Sequence, residues 1–216
     1  MAEAGLIAHG RGEAFDYLLG EKTSLMALKA MQACAAEMII AENPVISVNG
    51  NACALACHEI VELARQVDAE IEVNLFYHDK DRVERIIQSL SESGAGRVYG
   101  TNKKYTIEGL NSMRGWVDDA LWKADTVVVM LEDGDRTEMM KDSGKKVLCI
   151  DLNPLSRSAQ KADITIVDNV VRALPVMLKI AEGLREQSDK EVEGLINSFS
   201  QKENLRIHEE LVRSCL

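Results

Sequence analysis

The chain has 216 residues, enough to bury one good-sized hydrophobic core, and we expect one domain or one domain with an appendage. Its 46% hydrophobic and 28% charged residues are the proportions of an ordinary soluble globular protein. The net charge of −10, from 25 Lys and Arg against 35 Asp and Glu, argues against general nucleic-acid binding. An acidic chain that binds an anion must concentrate its cations locally, and the cations near predicted loops are Arg11, Lys22, Lys103, Lys104 and Arg157.

Helices are predicted before the first strand. Residues 10–12, Gly-Arg-Gly, form a glycine-bounded segment, and a short helix over 13–19 follows it. The Thr-Ser pair at 23–24 can cap a long helix that runs to about residue 41. That helix contains charged side chains, so we predict no membrane span. Residues 1–8 lack the basic and long apolar regions of a signal peptide, which predicts a cytoplasmic protein.

Short apolar runs without polar alternation predict buried strands, because a strand that is covered on both faces has no polar side. These runs lie at 45–48, 71–76, 126–131, 147–150 and 164–167, with a further short strand at 98–99. Helices are predicted after the strands, and three of these helices end near residues 66, 93 and 145. Residues 100–115 are predicted to form an irregular excursion. The alternation predicts the α/β class, a mainly parallel sheet flanked by helices on both faces.

A last helical region is predicted from about Leu174 to the C-terminus, with Pro175 in its first turn. Beyond Arg185 the region is heavily charged, with apolar side chains at helical spacing: Val192, Leu195, Ile196 and Phe199. We therefore expect a domain over 1–185 and a C-terminal helical tail over 186–216 that packs on the domain or on a dimer partner.

Polar loops follow the predicted strands at the end where parallel sheets bind ligands. The last two strands run into hydrogen-bonding and cationic groups, namely Asp151, Asn153, Ser156, Arg157 and Ser158 after the first strand and Asp168 and Asn169 after the second. Similar loops follow the other strands, at 49–51, 74–78 and 132–135. The loop at 49–51 leads into a helix whose N-terminal amides can bind an anion. Turn chemistry explains any one of these loops. Five loops on one edge favour a nucleotide or phosphate cleft.

The sequence contains no motif for covalent catalysis. Neither residues 9–12 nor 49–51 match the G-x-G-x-x-G or P-loop pattern, and no nucleophile elbow or H-E-x-x-H helix occurs. Asp133 and Asp135 could hold Mg²⁺ beside phosphates, or they could cap the next helix. The histidines are interpreted as surface or packing residues: His9, His58, His78 and His208. The cysteine spacing predicts reduced thiols and no zinc site.

Four segments of the sequence resemble one family. They are GLIAHGRGEAFDYLLGEKT at 5–23, ENPVISVNGN at 42–51, LEDGDRTE at 131–138 and DLNPLSRSAQKADITIVDN at 151–169. They resemble the archaeal phosphopantothenate synthetases, also called 4-phosphopantoate–β-alanine ligases, which act in coenzyme A synthesis. The resemblance extends over nearly the whole chain to about residue 185.

The resemblance implies an ATP-dependent amide ligase on a Rossmann-like scaffold, acting as a homodimer with Mg²⁺. The expected substrates are 4-phosphopantoate, β-alanine and ATP, and the expected route is an acyl-adenylate with release of pyrophosphate and then AMP. The resemblance assigns ATP contacts to Arg11, Asp151, Leu152, Asn153, Arg157, Ser158, Asn169 and Val170. Asn49, Gly50 and Asn51 could seat pantoate or its phosphate, and Lys103 and Lys104 are weaker candidates.

Two other functions remain open at this stage. Members of the family usually carry a basic helical stretch before the Gly5 segment, with an arginine that contacts ATP. A chain without that stretch could be a nucleotide- or phosphometabolite-binding protein without turnover. A nicotinamide-dependent oxidoreductase rests on fold analogy and lacks the glycine fingerprint.

Overall fold

The structure, a computed structural model, describes residues 3–77, 79–109 and 115–215. The helices are α1 (Glu3–Leu19), α2 (Leu25–Ile40), α3 (Gly50–Gln66), α4 (Lys80–Glu92), α5 (Asp119–Lys123), α6 (Gly134–Asp142), α7 (Arg157–Lys161), α8 (Val170–Leu184), α9 (Asp189–Asn197) and α10 (Gln201–Ser214). The strands are β1 (Pro44–Val48), β2 (Glu70–Val73), β3 (Val98–Tyr99), β4 (Tyr105–Thr106), β5 (Trp116–Val117), β6 (Thr126–Met130), β7 (Lys146–Ile150) and β8 (Ile164–Ile166).

Six strands form one sheet in the order β3-β2-β1-β6-β7-β8, and all of its neighbouring strands are parallel. Numbered along the chain within that sheet, the order is 3-2-1-4-5-6, which is the order of a Rossmann-type doubly wound fold. The order reverses between β1 and β6, and a ligand crevice is expected beside the carboxyl ends of those strands. The predicted α/β class is confirmed.

Both faces of the sheet are covered, which explains the unbroken apolar runs. Along β1, Val45 joins a core beneath α5 and α6, whereas Ile46 and Val48 join a larger core beneath α2, α3 and α8. Val127 and Val128 of β6 divide between the same two cores. Successive side chains of a strand point to opposite faces, so a strand between two helical layers is apolar at every position.

The N-terminal helix differs from the prediction. The glycine-bounded segment at 10–12 and the helix over 13–19 are parts of one continuous helix, α1. A glycine in a helix interior costs roughly 1 kcal/mol relative to alanine, so local propensity alone favoured a break there. Contacts between α1 and the rest of the protein offset that cost, because Asp16 is buried against Arg172 of α8.

The excursion is less irregular than predicted. Tyr105–Thr106 and Trp116–Val117 pair as a short antiparallel ribbon, and the ring of Tyr105 stacks on Trp122 with centroids 4.8 Å apart. Three predicted strands also end earlier than expected, since β2 ends at Val73, β6 at Met130 and β8 at Ile166. Apolar residues beyond those ends extended the sequence pattern without extending the hydrogen-bonded ladder.

The C-terminal region consists of three helices rather than one. Helix α8 begins at Val170, four residues before the predicted start, so that Pro175 lies inside the helix and not in its first turn. Proline removes the N–H that would bond the Val171 carbonyl, and Val171 is exposed, so water can satisfy that carbonyl. Helix α9 packs on α2, and α10 packs on α1, α2 and β8. In the described ranges, no helix is long and apolar enough to cross a membrane.

Buried His208 connects α10 to α2. It is a packing residue, in agreement with the interpretation of the histidines from the sequence. Its Nδ1 donates to the carbonyl of Asn204 at 2.9 Å, so its Nε2 accepts from the hydroxyl of Ser24 at 2.8 Å. The Ser24 oxygen in turn caps α2 by accepting from the Ala27 amide. Burial lowers the pKa of His208 below 6.5 because the charged imidazolium is poorly solvated there.

We expect this histidine to make the protein less stable in mild acid. Below pH 6.5 the unfolded chain binds a proton that folded His208 does not, so the free energy of unfolding falls by up to about 1.4 kcal/mol per pH unit. Urea unfolding between pH 5 and 7.5 should show a shallower pH dependence for His208→Gln than for the wild type. Exposed His58→Gln is the control, and equal slopes for the two variants would contradict the assignment.

Candidate active site

The carboxyl edge of the sheet carries the predicted site, and helix α1 lies against it. At the switch point, the side-chain amide of Asn49 donates to the carbonyls of Met130 and Leu131 at 2.8 and 3.2 Å. Its oxygen accepts from the amides of Asn51 and Ala52, which caps α3. Asn49 therefore joins the end of β1 to the end of β6. Leu131 has a positive φ of 51°, a strained backbone that these bonds help to hold.

Asn51 connects this turn to α1. Its side-chain amide donates to the Gly5 carbonyl at 3.3 Å, and a Cβ added at Gly5 would lie 2.2 Å from the Asn51 oxygen. A larger residue at Gly5 would have to displace the Asn51 side chain and break this hydrogen bond. Among the predicted substrate residues, Asn49 and Asn51 thus have structural hydrogen bonds, and Gly50 begins α3.

The loop after β7 is held by its own side chains. Asp151 accepts from the Asn153 amide at 2.9 Å and from the Ser156 hydroxyl at 2.6 Å, and Asn153 accepts from the Leu155 amide. Burial raises the pKa of Asp151, and the hydrogen bonds and the nearby charge of Arg11 oppose that rise. Arg11 lies on α1, which reaches the same edge of the sheet because Glu13 of that helix accepts from Asn169.

The loop after β8 is joined to α1 by a buried polar cluster. The Asn169 side chain donates to Glu13 and Asp16, both at 2.9 Å, and its oxygen caps α8. Arg172 forms hydrogen bonds with both Asp16 and Asp168. Burial raises the pKa of Asp16, but the bonds from Arg172 and Asn169 outweigh burial and hold that pKa below 3.8.

The side chains of Leu152 and Val170 are buried in the protein, at 3% and 2% exposure. A nucleotide at these positions would therefore meet backbone atoms rather than side chains. The two apolar residues support the loops that carry their polar neighbours.

Arg157 and Ser158 contact the segment that follows β6. The Ser158 hydroxyl donates to the Glu132 carbonyl at 2.6 Å, so this side chain joins the two loops. Exposed Arg157 pairs with Asp135 and Glu138 of α6. A Cβ added at Gly134 would come within 2.5 Å of the Arg157 side chain, so glycine there lets the arginine cross the start of α6.

A second polar cluster was not predicted from the sequence, apart from the weak candidate Lys103. Lys103 donates to Asn74, which follows β2, at 2.7 Å. Arg136, in the first turn of α6, is buried near it, together with Glu72 and Glu132. Arg136 stands in the quoted segment LEDGDRTE, where a charged stretch looks solvent-exposed. The one signal was Glu72 inside the predicted strand at 71–76, since a charged residue in a buried strand needs partners.

Asp133 and Asp135 could bind Mg²⁺ only together with the phosphates of a nucleotide. Asp133 caps α6, as one of the two sequence interpretations predicted, and Asp135 pairs with Arg157. Among the described residues, no group of three or more His, Cys, Asp or Glu side chains could hold a metal by itself. Mg²⁺ commonly binds through one or two carboxylates and substrate phosphates, so Asp133 and Asp135 fit an ion brought by ATP. His78, one of the predicted surface or packing histidines, lies outside the described residues.

Comparison with known proteins identifies clear relatives. Residues 26–214 match the family described as phosphopantothenate/pantothenate synthetase. The 4-phosphopantoate–beta-alanine ligase of Thermococcus onnurineus (strain NA1) is 52% identical over 206 residues, covering 94% of this chain and 79% of the relative. The ligase of the same name from Thermococcus kodakarensis is 50% identical over the same shares of both chains. That of Methanosarcina mazei is 47% identical over 201 residues, covering 93% of this chain and 79% of the relative.

Proposed function

This chain belongs to the phosphopantothenate/pantothenate synthetase family and is a ligase, and from that premise we propose that it joins 4-phosphopantoate to β-alanine to form 4′-phosphopantothenate. ATP is the co-substrate that a ligase of this kind requires. The observation that carries the proposal is the match to ligases of that name over 94% of the chain. Asp151 and Asn169 lie at the carboxyl edge of a Rossmann-type sheet, and α1, which carries Arg11, contacts that edge through Glu13; this arrangement supports a nucleotide there.

The proposed reaction has two steps. A carboxylate oxygen of 4-phosphopantoate attacks the α-phosphorus of ATP, and pyrophosphate leaves to give an acyl-adenylate. The amine of β-alanine then attacks the acyl carbon, AMP leaves, and the amine loses a proton as the amide forms. Neither step needs a covalent bond to the protein. The protein supplies alignment of two anions and neutralisation of their charge.

Arginine side chains suit that task because guanidinium offers a rigid fork of donors to phosphate oxygens. Arg11 lies on α1, which contacts the loop after β8 through Glu13, and Arg157 would exchange its partners on α6 for phosphate oxygens when ATP binds. Mg²⁺, carried by the triphosphate near Asp133 and Asp135, would neutralise the leaving pyrophosphate. We also propose a cytoplasmic location, which suits an enzyme that consumes ATP.

We further propose that the enzyme is a homodimer. Three large apolar side chains on α1 are exposed: Leu6, Ile7 and Tyr17. Leu6 and Tyr17 are separated by three helical turns, so they lie on one stripe of the helix. A second copy of the chain would cover such a stripe. Light scattering at micromolar concentration measures the molar mass and so distinguishes a dimer from a monomer.

The function is tested by following AMP in a complete reaction and in reactions that omit each component in turn. We expect AMP only with ATP, Mg²⁺, 4-phosphopantoate and β-alanine together. Exchange of labelled pyrophosphate into ATP should need 4-phosphopantoate but not β-alanine, which separates an acyl-adenylate from a concerted path. Formation of ADP would contradict the adenylate. Binding of ATP without turnover would favour the alternative of a nucleotide-binding protein.

We expect Arg157→Ala to weaken ATP binding by about 1.5–3 kcal/mol, or roughly tenfold to 150-fold, because a charge-assisted contact with phosphate is lost. The fold should persist, since exposed ion pairs contribute about 0–1 kcal/mol. Calorimetric titration with ATP measures the change. Lys161→Ala is the matched control, because Lys161 lies on the same helix and pairs with the same Glu138. Equal ATP affinity in folded Arg157→Ala and wild type would remove Arg157 from the site.

A further inference from the structure

Arg136 is a buried cation without a hydrogen-bonded partner for two of its donors. Its side chain is 2% exposed, and its Nε and Nη2 atoms have no hydrogen-bond partner in the described part of the chain. The carboxylate of Glu132 lies 3.9 Å from Nε, which is too far for a hydrogen bond. Proteins rarely bury such donors, because their lost hydration is not replaced. The free donors of Arg136 therefore point to a ligand.

Lys103 is a second cation in the same place. Its ammonium group donates to the Asn74 oxygen at 2.7 Å, and an ammonium group has further donors to offer. Burial and then the positive charge of Arg136 lower the pKa of Lys103 to about 8. The charge of Arg136 contributes to the lowered pKa of Lys103, so the two cations repel each other. An incoming anion would relieve the repulsion between them.

The carboxylates of this cluster are engaged elsewhere. Glu72 accepts from the amides of Asp118 and Leu121 at 2.9 and 2.8 Å. Asp118 accepts from the amides of Gly100 and Asn102 at 3.0 and 3.1 Å. These bonds shape the excursion. Neither carboxylate accepts a hydrogen bond from Lys103 or from the Nε and Nη2 atoms of Arg136.

The position of the cluster separates it from the proposed nucleotide loops. Asn74 follows β2, Lys103 follows β3 and Arg136 follows β6, so the three residues share the carboxyl edge of the sheet. Asn74 and Lys103 lie across the switch point from Asp151 and Asn169, which follow β7 and β8, whereas Arg136 follows β6 at the switch point itself. Arg136 also lies in the first turn of α6, where the helix dipole favours an anion.

We propose that Arg136 and Lys103, with Asn74, form the subsite that binds the phosphate group of 4-phosphopantoate. This inference rests on the proposed function. The acid carries its carboxylate and its phosphate at opposite ends. If the carboxylate must reach the α-phosphorus of ATP at the β7 and β8 loops, the phosphate must be held away from the nucleotide. Lys103 and Asn74 lie across the switch point from the β7 and β8 loops, as this orientation requires, and Arg136 lies at the switch point between them.

The proposal has a pH consequence. A bound phosphate dianion raises the pKa of Lys103 above about 8, so binding above pH 8 takes up a proton and the affinity falls as the pH rises. Calorimetry at pH 8.5 in buffers of different ionisation enthalpy measures that uptake. Lys103→Arg should keep the affinity and abolish the uptake, because arginine stays protonated.

The decisive experiment compares 4-phosphopantoate with pantoate, which lacks the phosphate, by calorimetry on the full chain. We expect the wild type to favour 4-phosphopantoate, and Arg136→Met and Lys103→Met each to lose about tenfold or more of that preference. ATP affinity should not change. Lys104→Met is the matched control, because the neighbouring Lys104 is exposed and pairs with Asp119. Titration with inorganic phosphate provides a probe that needs no pantoyl group.

Three outcomes would overturn the proposal. Equal losses for 4-phosphopantoate and pantoate would mean that the cations do not contact the phosphate. A loss of ATP affinity instead would assign them to the nucleotide. An unchanged preference for 4-phosphopantoate over pantoate in folded Arg136→Met would remove Arg136 from the phosphate subsite. Binding needs no turnover, so a wild type that forms no AMP but keeps the Arg136-dependent preference would refute the proposed function alone.

Discussion

Arg172→Ala is expected to destabilise the protein by about 3–5 kcal/mol, because it leaves two buried carboxylates without their cation. Arg172 donates to Asp16 from two nitrogens and to Asp168 from two, while Asp16 and Asp168 are almost fully buried. Thr23 and Asn169 also bond these carboxylates, but neither carries a compensating charge. Chemical unfolding in urea at pH 7 measures the change.

The loss should also release α1 from the carboxyl edge of the sheet. Asp16 is the residue through which α8 holds α1, and Arg11 lies on the same helix. ATP affinity should therefore fall together with stability. Because the pKa of Asp16 is held below 3.8, its stabilising effect is present above that pH and is lost as the pH falls through the folded-state pKa. The part of the fall in unfolding free energy at low pH that is due to Asp16 should be absent in Arg172→Ala.

Arg206→Ala is the matched control for this prediction. Arg206 pairs with Glu210 one helical turn away on α10, and both side chains are 59% exposed. Such a pair is worth roughly 0.3–0.5 kcal/mol. If Arg172→Ala and Arg206→Ala proved equally stable, the Asp16, Asp168 and Arg172 cluster would have no special role in holding α1.

Glu72→Ala is expected to cost about 2–4 kcal/mol and to loosen the excursion. Fully buried Glu72 accepts from the amides of Asp118 and Leu121, and each orphaned buried N–H costs about 1–3 kcal/mol. Burial raises the pKa of Glu72, which shows that its charge is costly to bury and reduces the net loss. Faster hydrogen exchange at the Asp118 and Leu121 amides would locate the effect.

Glu70→Ala tests whether that cost is specific to burial. Glu70 lies on the same strand and the same side as Glu72, but it is exposed and accepts from the hydroxyl of Tyr99 at 2.7 Å. We expect a change within about 1 kcal/mol. A Glu72→Ala variant as stable as Glu70→Ala, with unchanged exchange at α5, would show that the carboxylate does not hold this segment.

The α/β class followed from local patterns alone. A short strand whose residues are all apolar, such as 147–150, must be covered by other elements on both faces of the sheet. Polar residues at the strand ends likewise predicted a single functional edge, and the parallel pairing places the Asp151 and Asn169 loops on it. Asp133 illustrates the limit of such reasoning, because a capping residue and a metal ligand have the same sequence pattern.

Other features depended on contacts between distant parts of the chain. The continuity of α1 through Gly10 and Gly12 contradicts local propensity and rests on packing against α3, α8 and α10. Burial of Arg136 depends on the excursion and β2 closing around α6, whereas its own segment looks exposed. The sequence by itself determined the periodicity, the caps and the family, since these depend on neighbouring residues. The tertiary structure decided which charges are buried together, because burial is a property of elements that meet only in the folded chain.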